Sequence, residues 1–336
     1  MTRVLLTGAT GVLGSELLGS LRRRRGVEVV AVSRRGAPGD GVLRWRMGAE
    51  PPPDELPRRF DAVVHAAATT RWNQDPEEAW AGNVQSTEAV LELVGDDTHL
   101  VHVSTAFAIG LRGDTSSARL SDYRNSYEWS KAATERLVAE HSRCTVVRPP
   151  LIIGRRTDGH IARFSGLYTF ARACVTGLAP AMVGEPKGTV EMVPVDDVAG
   201  AVLAALDAGP AEAPAGPVVL GTGTAALTTE DLVQASFTAI NGWRARHGAS
   251  RLAPPPIISA ERWDRFFLPF ARTTLTGRQL RVIELLSEFV PYVSMAEAPE
   301  PTVLLPAVHD ALALSLSFWA DANPRAASAE PRPWAA

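Results

Sequence analysis

The chain has 336 residues, 46% of them hydrophobic, enough for one large domain or two coupled ones with a sizeable core. A formal net charge of −3 argues against nucleic acid as a main partner, since phosphate binding calls for a basic surface. Two cysteines (Cys144 and Cys174) without metal-ligand spacing, seven scattered histidines and no apolar run of roughly 20 residues argue against a disulfide framework, a metal site and a membrane span.

An apolar strand begins within three residues, at Arg3 to Thr7, so no signal peptide is read and a cytoplasmic protein is expected. A helix follows over Val12 to Arg24, then a strand over Val27 to Ser33. Phe60 to Ala67 reads as the next buried strand and Pro76 to Val94 as the next helix. Leu100 to Ser104 is a strand, Ser126 to His141 a helix and Thr145 to Leu151 a strand. This βαβ alternation predicts an α/β fold, a doubly wound, mostly parallel sheet with helices on both faces.

After Gly154 the rhythm breaks. Arg155 to Gly188 reads as loop and helix, Val190 to Pro194 and Pro217 to Gly221 as returning strands, and Val195 to Asp207 as a helix between them. In the Gly277 to Phe289 helix, Leu280, Ile283 and Leu286, with Val282, Leu285 and Phe289, form a face that packs on the body of the protein. The expected domains are a nucleotide-binding core over 1–154 with returning segments 190–225, and a smaller, mainly helical substrate-binding region over 155–189 and 226–322. That region would cover the C-terminal edge of the sheet, where open α/β sheets take ligands. The tail over 323–336, rich in Pro, Ala and Ser, reads as disordered.

Gly8, Gly11 and Gly14 form G-x-x-G-x-x-G between the first strand and the first helix. Glycines suit the tight turn, the close approach of backbone to a pyrophosphate and close helix–strand packing. The free N–H groups of the helix start then attract phosphate. Thr10, Val12 and Leu13, threaded among these glycines, are placed at the same cofactor phosphates. The second strand ends in Ser33, Arg34 and Arg35, where an Asp or Glu would favour NAD. A guanidinium pairs with a 2′-phosphate instead, so NADP(H) is the expected cofactor.

Tyr127 stands four residues before Lys131, on one face of a predicted helix. Of the 34 basic residues only two, Lys131 and Lys187, are lysine, so a lysine here is a choice against the chain's habit. A compact ammonium is expected to lower the tyrosine pKa toward working pH and to hydrogen-bond a ribose. Lys187, in a turn-like EPKG, reads as surface. The strand HLVHVSTA ends in Ser104 and Thr105, and a hydroxyl there, Thr105 before Ser104, is expected to donate to a substrate carbonyl.

TGATGVLG, HAAA (His65 to Ala68), Asn83, HVSTA, YEWSK and RPPLIIG (Arg148 to Gly154) together resemble the extended short-chain dehydrogenase/reductases. The resemblance implies a Rossmann fold, a Ser/Thr–Tyr–Lys catalytic set and a nicotinamide cofactor. It also implies that Ala66, Ala67 and Ala68 line the adenine–ribose side, that Asn83 sits near the active site, and that Pro149, Leu151 and Ile152 pass the nicotinamide. HAAATTRW, SKAATERLV and VPVDDV are similar to the thioester-reductase and fatty-acyl-reductase branch, called male-sterility-like. This likeness implies an acyl thioester substrate on CoA or a carrier protein. Arg155, Arg156 and Arg163 are then either contacts for a phosphopantetheine phosphate or acidic carrier, or solvated loop residues. Reduction of a ketone or oxidation of a secondary alcohol by the same residues stays open as the alternative, and a non-catalytic NADP(H) sensor as a lesser one. Monomer and homodimer are both left open.

Overall fold

The computed structural model describes residues 1–331 apart from 180, 213–214, 270–272 and 274–275. The chain forms two compact units. The first holds Met1–Pro150, Val195–Gly221 and Pro301–Leu304; the second holds Leu151–Pro194, Thr222–Glu300 and the chain from Leu305. The expected boundaries shift accordingly. Leu151 to Gly154 and the strand before Val195 belong to the second unit, and a short segment after Pro301 returns to the first.

In chain order the first unit contains β1 (Thr2–Thr7), α1 (Val12–Arg22), β2 (Val27–Ser33), β3 (Val42–Arg44) and β4 (Ala62–His65). Next come α2 (Pro76–Ala79), α3 (Ser86–Leu91), β5 (His99–Val103), α4 (Ser126–Val138) and β6 (Cys144–Arg148). The unit closes with α5 (Val195–Ala208), β7 (Val218–Gly221) and β8 (Val303–Leu304). The strands form one sheet of 8 in the order β8-β7-β6-β5-β4-β1-β2-β3. Every pairing is parallel, as crossover helices require.

The register explains where the core lies. Leu5 on β1, Val63 on β4 and Leu100 on β5 are direct neighbours across the sheet. Helices α3 and α4 bring Val90 and Val138 into the same buried cluster, with Trp45, Leu56 and Phe60. Burying each such side chain contributes on the order of 1.5–3 kcal/mol. Helices α1 and α5 pack together. Asn125 starts α4 by accepting from the Glu128 N–H at 3.0 Å. The predicted helix over Pro76 to Val94 is not one regular helix: α2 and α3 flank a π-helical turn over Trp80–Gln85.

In the second unit Leu151–Ile153 pairs with Met192–Pro194, and Thr189–Val190 with Leu227–Thr228. The helix Thr229–Arg246 packs on His309–Ala322, where Trp243 Nε1 donates to Asp321 Oδ1 at 2.6 Å. Ile283 of the predicted amphipathic helix is buried, and Leu280, Leu286 and Phe289 are half-buried; the side chains of Val282 and Leu285 lie outside the described residues. The stretch from Asn323, expected to be disordered, carries a short helix over Pro324–Ala327. The reason is the fully buried guanidinium of Arg244, which donates to the carbonyls of Ala327 (2.6 Å) and Ala329 (3.0 Å). Residues 332–336 lie outside the described residues. Among the described residues no helix is long and apolar enough to cross a membrane.

Candidate active site

The glycine loop leaves β1 through Gly8, whose φ is +70°. A Cβ there would stand 2.8 Å from the backbone of Ala66 and Ala67, and one on Gly14 would stand 2.0 Å from the Gly8 carbonyl oxygen. Only glycine permits this closeness. Helix α1 begins at Gly11 without a side-chain cap, so its first N–H groups are offered to whatever lies before them. The loop therefore fits a pyrophosphate. Gly8, Gly11 and Val12 are half-buried, Thr10 is exposed, and Leu13 and Gly14 pack inward. At the end of β2, Ser33 is buried and its hydroxyl accepts from the Gly36 N–H at 3.1 Å. Arg34 and Arg35 are exposed and have no bonding partner among the described residues. Ala66 and Ala67 are half-buried after β4, Ala68 is exposed, and the Ala67 N–H donates to Thr7 Oγ1 at 3.2 Å.

Ser104, Thr105, Tyr127 and Lys131 are all buried in the first unit. Thr105, just past β5, accepts from the Phe107 N–H at 3.4 Å, and its side chain acts on the Tyr127 phenol. Among the described residues Ser104 Oγ has no partner. The arrangement separates the two candidates: Thr105 meets the tyrosine and Ser104 does not. Pro149, whose carbonyl accepts from Ala106 N at 2.9 Å, lies in this unit, whereas Leu151 and Ile152 belong to the second.

The expected lowering of the tyrosine pKa by the ammonium is not seen. Lys131 makes no hydrogen bond to Tyr127; its Nζ donates to the Val103 carbonyl at 2.9 Å and lies 3.3 Å from His102 Nε2. Burial pushes Tyr127 up to about 12, opposed by the Thr105 side chain and reinforced by the Glu128 carboxylate. Burial likewise lowers Lys131 to about 8, against the pull of Glu135. Desolvation outweighs neighbouring charge for both.

Beneath these residues lies a polar row that sequence reasoning missed. Thr7, His65 and His102 are register neighbours on β1, β4 and β5, two residues past Leu5, Val63 and Leu100 and so on the same sheet face. The two imidazoles stack with centroids 5.4 Å apart. His65 Nδ1 meets Thr7 Oγ1 at 2.8 Å and its Nε2 meets Thr87 Oγ1 at 3.0 Å. The Thr87 hydroxyl donates to the Asn83 carbonyl, so His65 Nε2 is the donor to it and Nδ1 the acceptor from Thr7. Burial, then the Lys131 charge, lowers His65 to about 3. The signal was legible as histidines inside otherwise apolar parallel strands. Asn83, on the π-helical turn, is committed to bracing: it accepts from Thr69 N (2.8 Å) and donates to Ser130 Oγ (2.8 Å).

Among the arginines of the second unit, Arg155 pairs with Asp158 at 3.5 Å and Arg156 donates to the Ala307 carbonyl at 2.9 Å, while Arg163 is exposed. Lys187 is exposed too.

Residues 50–202, which carry the Tyr127–Lys131 pair and the His65–His102 row, match the male sterility protein family. This segment is a male sterility domain. The matched segment is part of an NAD(P)-binding domain, and the sheet of the first unit is of Rossmann type. The chain is 29% identical over 243 residues to an isonitrile lipopeptide synthase of Streptomyces coeruleorubidus, a match covering 60% of this chain and 16% of that protein. It is 25% identical over 195 residues to fatty acyl-CoA reductase 1 of Gallus gallus, covering 47% of this chain and 38% of that one. The chain thus spans well under two thirds of these curated relatives. Among solved structures, the terminal R domain of the myxalamid PKS-NRPS biosynthetic pathway has a TM-score of 0.73 at 19% identity, covering 98% of this chain and 93% of that one. A UDP-galactose 4-epimerase follows at 0.60 and 20% identity, over 95% and 99% of the two chains. These two likenesses concern the fold.

Proposed function

We propose that the protein is an NADPH-dependent oxidoreductase that reduces an acyl thioester, carried by CoA or a carrier protein, to an aldehyde or alcohol. The observation that carries the reading is the buried Tyr127, with the side chain of Thr105 acting on its phenol and Lys131 one helical turn on, inside a male sterility domain. The fatty acyl-CoA reductase and lipopeptide synthase relatives supply the substrate class. In this reading Gly8, Gly11 and Gly14, with Thr10, Val12 and Leu13, hold the pyrophosphate. Arg34, with Ser33 and Arg35, takes the 2′-phosphate; Ala66 to Ala68 border the adenosine, and Pro149, Leu151 and Ile152 the nicotinamide.

Bound NADPH supplies a hydride. Thr105 and Tyr127 hold the thioester carbonyl oxygen, and as the carbonyl π electrons move onto that oxygen Tyr127 gives it the phenolic proton. A tyrosine held protonated by burial is the form this direction of reaction needs. The donors are set before charge develops, so they act mainly on the transition state. The resulting hemithioacetal breaks its C–S bond to give thiol and aldehyde. Lys131, as ammonium, balances the charge of the phenolate and holds the nicotinamide ribose.

The test is NADPH oxidation with a medium-chain acyl-CoA or acyl-pantetheine, with released thiol scored in parallel. Thiol appearing in step with NADPH loss supports the reading, and the ratio separates aldehyde from alcohol. NADPH loss with ketones but no thiol from thioesters would replace it with the ketone or alcohol reading.

A further inference from the structure

Buried in the first unit, His102 has an environment that the proposed chemistry does not use. Its Nε2 faces two groups on α4: Thr134 Oγ1 at 3.0 Å and Lys131 Nζ at 3.3 Å. Its Nδ1 is buried with no partner among the described residues. The Thr134 hydroxyl proton is spent on the Lys131 carbonyl at 2.7 Å, so Thr134 offers Nε2 an acceptor oxygen, while an ammonium offers it a proton. One nitrogen cannot serve both with the same tautomer. A proton on Nε2 would satisfy Thr134 but would point at the lysine; a bare Nε2 accepts from the ammonium and leaves the proton on the unpartnered Nδ1.

We propose that His102 is the positioning residue for Lys131, a neutral imidazole whose bare Nε2 accepts a hydrogen bond from the Lys131 ammonium. The proposal rests on the reading of Lys131 as part of the site. Together with the Val103 carbonyl, His102 gives Nζ two fixed acceptors on one strand and leaves its third proton free for a ribose or phenolate. The stacked His65 keeps His102 neutral, because its own two nitrogens are already committed to Thr7 and Thr87 and a second cation beside Lys131 has nowhere to be solvated. Burial first, then Lys131 and His65, act on His102 in that direction. The titratable and charged groups around this cluster are His65 on β4, Lys131 and Glu135 on α4, and Arg148 on β6, which pairs with Glu135. Helix α5, packed against β5, has Asp196 and Asp197 in its first turn and Asp207 near its end, with buried Val198, Ala199 and Val202 between.

The chain has only Lys131 and Lys187 as lysines, so lysine labelled with 13C at Cε gives two signals, one buried and one exposed. Their titration by NMR reads Lys131 directly and does not depend on any substrate. In His102→Leu the Lys131 midpoint is expected to fall by about one pH unit, a tenfold change in its protonation equilibrium, because the ammonium loses an acceptor. His102→Gln, with an acceptor oxygen, is expected to restore most of it. In turnover, His102→Leu is expected to lose about tenfold in kcat with the alkaline limb of the pH profile moved down to match, and little change in KM for the thioester. An unchanged or raised Lys131 midpoint in His102→Leu overturns the proposal and assigns Nε2 to Thr134. Should that variant fail to fold, Thr134→Val decides. An unmoved Lys131 midpoint supports lysine as the partner, and a rise, as a freed Nε2 turns to the lysine, overturns it. Absence of wild-type turnover with thioesters would remove the functional reading while leaving the NMR result to stand or fall alone.

Discussion

At the scale of single residues, one hydroxyl, one guanidinium group and a pair of imidazoles carry the testable content. Tyr127→Phe keeps the ring and removes the proton donor, and is expected to cost 10²–10⁴-fold, as an order of magnitude, in kcat with cofactor affinity retained. Full turnover by that variant would remove Tyr127 from the chemistry. Arg34→Ala is expected to weaken NADPH binding while leaving NADH unaffected, measured as the ratio of their Kd values; an equal effect on both would end the 2′-phosphate assignment. Acid should expose the histidine row. His65 and His102 are held neutral in the fold, His65 down to about 3, whereas the unfolded chain takes up protons below the ordinary value of 6.5. The unfolded state then binds more protons, so stability falls as pH drops from 6.5 toward 3. Each fully depressed histidine contributes roughly 1 kcal/mol of that loss by pH 5.5, before most carboxylates titrate. Urea midpoints at pH 6.5 and 5.5 measure it, and coincident midpoints would contradict the buried neutral pair.

Among the elements, the glycine loop is the least forgiving. A Cβ on Gly14 meets backbone at 2.0 Å, which no rotamer can relieve. Gly14→Ala is expected to open the β1–α1 turn and weaken NADPH binding at least tenfold, with a loss of about 1–3 kcal/mol in stability as the loop shifts. Equilibrium binding and thermal melts of the variant check both. The loop, the strands before it and after it, and the Tyr127–Lys131 helix were all legible because each writes its signal locally, in spacing and apolar runs. The short strands Val42–Arg44 and Val303–Leu304 were not, since two or three residues leave no period to read. Helix Thr229–Arg246 did carry a start signal, the capping box of Thr228 and Asp231, and went unread for want of a chemical motif. The contact of His102 with Lys131 depends on strand register and on where α4 crosses the sheet, neither of which spacing in the sequence contains.

For the whole molecule, order reaches farther along the chain than composition suggests. The Arg244 guanidinium is fully buried and uses carbonyls of Ala327 and Ala329, so a chain ending at Ala322 leaves a charge inside without those acceptors. Such a truncation is expected to cost about 3–5 kcal/mol, read as a lowered Tm; an unaltered Tm would show the tail to be dispensable. The sheet of the first unit has a similar long reach. Among the described residues its β7 strand pairs outward only with Val303 and Leu304, and the accompanying hydrogen bond from Val219 to Thr302 joins residues 83 apart. At ribosomal speeds of about 5–20 residues per second, that separation is roughly 4–17 s of synthesis. For that interval a nascent chain presents an open row of N–H and C=O groups on a sheet otherwise ready to form. The closing strand is thus a timing problem for the cell, and a chaperone or a neighbouring chain has those seconds in which to reach the edge first.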